Sequence, residues 1–552
     1  MRRILGRAAA LALIAGLCAT VATAGADLRA HRAPALTLPA HADGLSRALA
    51  SGRISPAREA LLRAQALFHA ARVAAAYGPI AHSGGEATMI LRDLAVRLGG
   101  LAPGDRKIAH AILARPSDSD DPQGDAWNVL EAAGSPDCGP NVCIHWASGT
   151  GGDAPAATDT TPANGIPDYV DQALDTAENV WNQEVGTMGY RAPLSDATST
   201  NHGPDGRLDI YLTNLGPKFL YGYCTSDDPK LATLGDPGVT WDVSAYCVVD
   251  NNYTESVFRN HTPIQNLKVT LAHEFFHAVQ FSYDVGEDTW LMEGTATWME
   301  DQVYDGINDN RQYLQNSQLK YPWIPLDHSA NCCFQYGSWI WFRFLSETIG
   351  PGVIQEIWNE ADAAAGGPDD YSTQAIRQVL SDHHTTFRKK FASFAVWNKI
   401  SRQRYSEGKA GRYPTPVGSG SFALGAAHTS TGWLAVKLKH MSSIYVTFRP
   451  GSSDGPRAHL TVQFDGPRHG FGPEGRLMVF SRSGAVAVKA FKLNRSGDGS
   501  LRVGFGRGHV SRVVLIETNA STRFTCWRKS QYSCMGAPLD DGRVYSFRAR
   551  IP

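Results

Sequence analysis

Past its N-terminal region the chain has no stretch of about 18 consecutive apolar residues, which excludes a later membrane-spanning helix. An excess of one charge is also missing: 52 Lys and Arg stand against 53 Asp and Glu, for a net charge of -1. Nucleic acid and anionic membrane surfaces are therefore not expected as partners. No Cys-x-x-Cys occurs, so a zinc site built on thiolates has no frame. No internal repeat or low-complexity tract is present, which argues against a solenoid. With 43% hydrophobic and only 19% charged residues the composition is that of a folded chain. At 552 residues it is too long for one core and should divide into roughly two to four domains.

The N-terminus reads Met1-Arg2-Arg3, then an apolar run from Ala8 to Ala22, then small residues to Ala26. That is the pattern of a secretory signal over residues 1–26, and it predicts a secreted or periplasmic protein. Cys18 follows Leu17, where a lipid-attachment site wants Gly or Ala, so lipidation is the lesser reading. Setting Cys18 aside leaves an even number of the nine cysteines, in neighbouring pairs: Cys138/Cys143, Cys224/Cys247, Cys332/Cys333 and Cys526/Cys534. In an oxidising compartment local disulfides are the expected use, although spacing alone does not give the connectivity.

Three regions follow the signal. Residues 27–130 are rich in Ala and Arg with helical patterning from Pro56 to Phe68 and form either a removable pro-region or a permanent helical segment. Residues 131–412 alternate short strands (Leu208–Leu212, Tyr246–Asp250) with strong helices, among them Gly337–Thr348, Ser372–Ser381 and Thr386–Lys399, the order of an α+β enzyme. Residues 413–552 carry alternating runs such as Trp433–Leu438, Ser443–Phe448 and Arg512–Ile516 between Gly, Ser, Asp and Asn, which predicts an all-β sandwich.

The chemistry concentrates in His273-Glu274-Phe275-Phe276-His277 and in Trp290-Leu291-Met292-Glu293-Gly294-Thr295. Residues four apart on a helix lie about 5–6 Å apart at their β-carbons, so the two imidazoles leave one face and can bite one ion. Glu274 sits where it reaches a water beside the metal, as a general base does. Glu293 on a second helix would supply the third ligand and leave a fourth position open, as in catalytic zinc sites. Satisfied core histidines are the bland alternative, but Leu271, Phe275, Ala278 and Val279 already give the helix an apolar side.

Leu271–Phe281 with Trp290–Asp301, within roughly residues 244 to 345, resembles the gluzincin superfamily of zinc metallopeptidases. The resemblance implies a metallopeptidase domain, α+β in class, with one Zn2+ held by His273, His277 and Glu293, Glu274 as general base, and a polypeptide substrate. It implies no organic cofactor. Tyr336, in Gln335-Tyr336-Gly337, resembles the catalytic tyrosine of some gluzincins and would donate to the oxyanion. Tyr313, Tyr321 and Tyr283 are the reserves. Ser244–Asp250 resembles the edge strand along which gluzincins pair an extended substrate, with an ordinary core strand as the alternative. The spacing departs from several branches: fifteen residues, Ala278 to Met292, separate His277 from Glu293, so the loop must be tight, with Asp284, Gly286 and Asp288 as turn residues. Glu300 and Asp301 are rival ligands. Thr297 or Glu300 would support the metal ligands from the same face.

Two other readings stand beside this one. A non-catalytic surface or carbohydrate-binding protein would have no need of Glu274, and a zinc amidase acting on a non-protein amide would use the same residues. Asn164–Asp168 and Gly206–Asp209 put carboxylates in Gly-rich turns that could hold Ca2+, but the calcium-loop pattern is interrupted at Thr161 and Ala163, which favours turn and capping roles.

Overall fold

The computed structural model describes residues 43–80, 86–118, 124–200, 202–329, 333–451, 455, 457–528, 530 and 532–552. The expected signal over residues 1–26, with Cys18, lies outside the described residues, as does Cys332 of the adjacent cysteine pair. Among the described residues no helix is long and apolar enough to cross a membrane.

Four helices come first: α1 (Gly44–Ala50), α2 (Pro56–Tyr77), α3 (Ala87–Ala95) and α4 (Pro103–Ile112). Three of the four starts are legible in local chemistry. The Asp43 carboxylate accepts from the Ser46 N–H at α1, Ser55 does the same for Arg58 at α2, and Pro56 and Pro103 occupy first-turn positions where no N–H is needed.

A five-stranded sheet follows, built from β1 (Asp137–Cys138), β2 (Val142–Trp146), β3 (Leu208–Thr213), β4 (Gly222–Thr225) and β5 (Tyr246–Asp250), in the order β1-β2-β3-β5-β4. The pairs β2/β3 and β3/β5 are parallel, while β1 and β4 run antiparallel at the two edges. β2 to β5 are buried at every residue, as strands covered on both faces must be. The expectation that Ser244–Asp250 forms the edge is therefore wrong. β5 lies inside the sheet, because the short β4 pairs onto it in register Cys224 to Cys247, the two residues that the disulfide joins.

The helices behind and beside this sheet are α5 (Asp168–Trp181), α6 (Pro263–Phe281), α7 (Thr289–Val303), α8 (Phe334–Gly337), α9 (Trp339–Thr348), α10 (Gly352–Glu360), α11 (Thr373–Asp382) and α12 (Phe387–Lys399). The architecture is thus α+β. The expected helices at 337–348, 372–381 and 386–399 appear within one or two residues of those bounds.

The C-terminal region holds two sheets. One is β11 (Val486–Ala490), β10 (Pro473–Ser481), β13 (Val510–Asn519), β8 (Ser442–Pro450) and β6 (Gly420–Leu424). The other is β12 (Asp498–Gly504), β9 (His459–Asp465), β16 (Arg543–Arg550) and β7 (Leu434–Leu438). Their alternate residues share one core, with Val446, Phe448, Val513 and Leu515 of the first sheet against Val462, Phe464, Tyr545 and Phe547 of the second. The opposite face of the first sheet, at Tyr445, Met478, Val514 and Ile516, packs on Ala395, Val396 and Ile400 of the α12 region. A sheet buried on both faces fixes the sandwich to the helical body.

Disulfides join Cys138 to Cys143, Cys224 to Cys247 and Cys526 to Cys534. The last closes a small hairpin, β14 (Phe524–Thr525) with β15 (Ala537–Pro538), that latches onto the helical body. The Cys534 N–H donates to Asp288 Oδ2 at 2.7 Å, and Ser533 donates through both N–H and hydroxyl to Asp327 Oδ2. The other oxygen of Asp327 lies 2.9 Å from Nε2 of His440, whose Nδ1 lies 2.6 Å from Asp541. His440 is fully buried against the ring edges of Phe524 and Tyr532.

Burial opposes a charge on His440, but Asp327 and Asp541 outweigh it and push the imidazole up to about 9 from 6.5. A folded pKa above the unfolded one stabilises fully below the unfolded value and is lost as pH rises through the folded one. Stability is predicted to fall between about pH 6.5 and 9, by up to roughly 3 kcal/mol. Urea midpoints across that window should show the fall, and His440→Gln should lose it, so that the wild-type-minus-variant difference shrinks as pH rises. Parallel curves for the two chains would refute the latch.

Candidate metal centre

Helix α6 opens with a reciprocal cap: the Gln265 N–H donates to Thr262 Oγ1, and Gln265 Oε1 accepts from the Thr262 N–H, with Pro263 in the first turn. From Val269 to Phe281 every residue is buried, so the helix is packed on all sides. Phe275 meets Trp181 edge-on at 5.6 Å, and Phe276 meets Tyr190 at 5.0 Å. The loop to α7 is as tight as the spacing requires, turned by the Gly286 N–H donating to Asp284 Oδ1 at 2.7 Å. At Gly294 a β-carbon would stand 2.4 Å from Ser338 Oγ and 2.7 Å from the Phe342 ring. The glycine after Glu293 is what lets α9 press α7 toward α6.

This packing brings His273, His277 and Glu293 together, one ligand atom from each lying within 4.8 Å of the others. Nε2 of His273 is 3.2 Å from Glu293 Oε2, and Nε2 of His277 is 3.8 Å from the same oxygen. Two atoms each about 2.1 Å from a tetrahedral zinc are about 3.4 Å apart, and the two distances bracket that value. The far side of each ring is held. His273 Nδ1 lies 2.8 Å from Glu300 Oε1, and His277 Nδ1 lies 2.6 Å from Gln280 Oε1. Gln280 is itself oriented, its Nε2 donating to Met292 O and Thr295 Oγ1. An acceptor at each Nδ1 places the proton there and leaves Nε2 as the lone pair, the support metal-ligating histidines receive.

His277 Nε2 and Glu293 Oε1 are buried without a hydrogen-bond partner. Burial and the neighbouring His273 push His277 well below its ordinary value, so it is neutral. The donor set fits a borderline divalent ion such as zinc. The rival carboxylates have other work: Glu300 holds His273, and Asp301 pairs with Arg343. Thr297, the other expected support, has a buried hydroxyl with no partner. A second acidic group, Asp301, Asp305 and Glu407, has Arg343 beside Asp301 and Arg311 at 3.0 Å from Glu407, so two of its three carboxylates are already paired.

Glu274 lies beside this cluster and is 6% exposed. Burial pushes its carboxyl up to about 7, against the pull of His273 and of the Thr88 hydroxyl. At Gly222 of the edge strand an added β-carbon would stand 3.1 Å from Glu274 Cγ, so β4 runs directly past the base. A small cleft of about 210 Å³ is lined by His273, Glu274, Tyr336, Tyr313, Tyr221 and Phe219 among others. The Tyr336 ring is 6.1 Å from that of His273 and stacks on Tyr313 at 4.9 Å. Of the reserve tyrosines, Tyr283 instead accepts a cation–π contact from Arg191, and Tyr321 lies against Trp323.

The turn carboxylates considered for calcium are occupied by donors. Asp159 accepts from the N–H groups of Asn164 and Gly165, Asp168 from Thr160 and Thr161, and Asp209 from the buried Arg115. Sequence reasoning missed Gln280 and Thr88. Gln280 carries a signal in retrospect, three residues past His277 on the α6 face that meets α7, whereas Thr88 carries none.

Residues 118–449 match a protein family described as a family of unknown function, DUF6055. That match spans more than half of the chain, and the chain belongs to this family. No curated protein matches the sequence. Among solved structures, a family GH115 4-O-methyl-α-glucuronidase with specificity for decorated arabinogalactans is similar at 9% identity and a TM-score of 0.13, over 53% of this chain. The chain spans 39% of that structure's length.

These findings overturn the expectation of a zinc metallopeptidase, as function and as enzyme class. The family that spans the region of the motif is described as one of unknown function and supplies no peptidase activity. The polypeptide substrate goes with it. The glucuronidase in turn lends this chain no activity, because a TM-score of 0.13 carries no argument about site or fold.

The His277 support is separately testable. Gln280→Leu removes the acceptor for a buried N–H, and leaving such a donor unmatched costs about 1–3 kcal/mol. Urea unfolding with chelator present should show that loss, and Gln280→Glu, which keeps an acceptor, should lose less. An unchanged midpoint for the leucine variant would remove Gln280 from this role.

Proposed function

We propose that the chain is a zinc-dependent hydrolase, committed to the type of reaction and not to the bond cleaved. The observation that carries this reading is the convergence of His273 Nε2, the unpartnered His277 Nε2 and Glu293 Oε2 on one point beside Glu274. The resemblance to gluzincins is kept for the metal ligands alone. A bound zinc would supply Lewis acidity there and ease the loss of a proton from water.

The chain's own residues supply the rest. Glu274, held near neutrality by burial, takes a proton from the attacking water and returns it to the leaving group. A base poised near the working pH can both accept and give. Tyr336 stands across the cleft, where its hydroxyl can donate to the oxygen that gains charge. Glu300 and Gln280 hold the imidazoles in the tautomers that ligation needs. The disulfides fit an oxidising compartment, which supports export.

Elemental analysis of chain purified without chelator should find about one zinc per chain, and His277→Ala should remove most of it. Folded wild-type chain with near-zero metal would end the proposal. Labelled polymers with amide, ester and glycosidic linkages, assayed with and without chelator, then identify the bond. On the substrate found, Glu274→Gln should lower activity by about 10²–10⁴ while zinc content holds. Tyr336→Phe should lower kcat by about 10²–10³ with KM unchanged. A normal kcat, with the chemical step rate-limiting, would discard the tyrosine.

A further inference from the structure

We propose that helices α1 to α4 act as an inhibitor built into the chain, closing the site until they are displaced. The inference rests on the zinc-hydrolase reading above. Its centre is one hydroxyl. Thr88 Oγ1, in the first turn of α3, donates to Glu274 Oε2 at 2.8 Å and accepts the Cys224 N–H at 3.0 Å. Thr88 is 1% exposed.

Cys224 belongs to β4, the free edge of the sheet, and its N–H is turned away from β5. An edge strand offers unpaired N–H groups to whatever approaches, and here the approach is already taken. The same hydroxyl also occupies a carboxylate oxygen of Glu274, the group that must meet a water. A reacting molecule laid along β4 beside Glu274 would need the space that α3 fills.

Other contacts fasten the helix. Buried Arg92 donates to the carbonyls of Val285 and Glu287, at 3.2 and 2.6 Å, and to Thr289 Oγ1 at 3.1 Å. It thereby grips the loop that joins the two ligand-bearing helices. At the other side of the cleft, Gln335 Nε2 donates to Glu86 Oε1 at 3.4 Å, next to Tyr336.

Three features mark these helices as separable. The family match begins at residue 118, past the end of α4. The segment has a small core of its own, Leu45, Leu62, Ala66 and Val73, while Leu61, Leu67, Leu91 and Leu94 join the core of the body. Its seam with the body is incompletely filled. A cavity of about 730 Å³ lies there, lined by Glu59, Asp93 and Arg97 on the segment's side and Asp284 and Glu287 on the body's side. Beyond the segment, Arg115 is fully buried on Asp196, Asp209 and Asp227, an anchor that belongs to the body.

The test uses the full chain. Thr88→Val removes the bridging hydroxyl with little change of shape, and Thr88→Val with Arg92→Ala also releases the loop. Acetohydroxamic acid, a chelator that fills the open side of a zinc site and needs a carboxylate acceptor beside it, is titrated into each zinc-loaded chain by calorimetry. The double variant should bind at least about tenfold more tightly than wild type, a shift of about 1.4 kcal/mol, with Thr88→Val between them. Deuterium uptake at residues 222–225 should rise in the same order. Equal hydroxamate affinity in all three zinc-loaded chains overturns the inhibitor. Absence of zinc from all three overturns the metal reading instead. Deuterium uptake then decides the segment's role alone, and equal uptake at β4 overturns it. Lys107→Ala, on α4 away from the cleft, should match wild type throughout.

Discussion

Everything around the candidate centre depends on keeping two imidazoles in chosen tautomers inside a helix with no exposed side. A buried N–H without an acceptor is costly, so Glu300 and Gln280 are placed to take the Nδ1 protons. The unmatched atoms that remain are then gathered at one point instead of being scattered through the core. Gly294 and the short loop at Asp284–Asp288 are conditions for that gathering, because both decide how closely α7 can lie on α6.

The same burial creates an electrostatic load. Glu274, Glu293 and Glu300 stand close together in a low-dielectric interior, and burial pushes each carboxyl above its ordinary range. Glu184, fully buried with neither oxygen partnered, is pushed well above it and is neutral. A divalent cation among these groups would relieve the load, since metal binding and carboxylate ionisation favour each other. On the reading proposed above, the charges at this point favour a cation as well as the geometry does. Arg92 brings positive charge to the same neighbourhood from the N-terminal helices, close to Glu287 and Thr289.

Much of this was legible in the sequence because it is local. The His-Glu-x-x-His spacing placed both imidazoles on one face, and Glu293 with Gly294 placed the next carboxylate on a helix that glycine lets approach. The helices at 337–348, 372–381 and 386–399 and the strands at 208–212 and 246–250 have periodicities long enough to read. What was not legible is non-local. β4 is four residues long with a glycine at its start, too short for alternation to show, so the edge of the sheet was assigned to β5. The bond from Thr88 to Glu274 spans 186 positions, and no pattern in either neighbourhood foretells it. The peptide substrate was not legible either, because it rested on likeness in a motif whose chemistry is shared by enzymes that cleave different bonds.

That last point bears on how substrate choice is divided in this chain. The buried cluster contributes what any activated-water hydrolysis needs, and none of its members faces the flanks of a substrate. The flanks meet the rim, where Phe219 is 71% exposed and held at a φ of 56°. A bulky side chain in that region of backbone space costs about 1–2 kcal/mol, and an exposed ring recovers little of it by burial. Tyr221 packs beneath it toward Tyr253 and Phe258, which makes the rim rigid where the centre is polar. On the reading proposed above, reaction type is set by residues the body holds in its core, and selectivity by an aromatic rim and by the edge of β4. Core positions change little without loss of fold, whereas rim and edge can vary freely. One scaffold of this kind can therefore serve different bonds while its metal ligands stay the same.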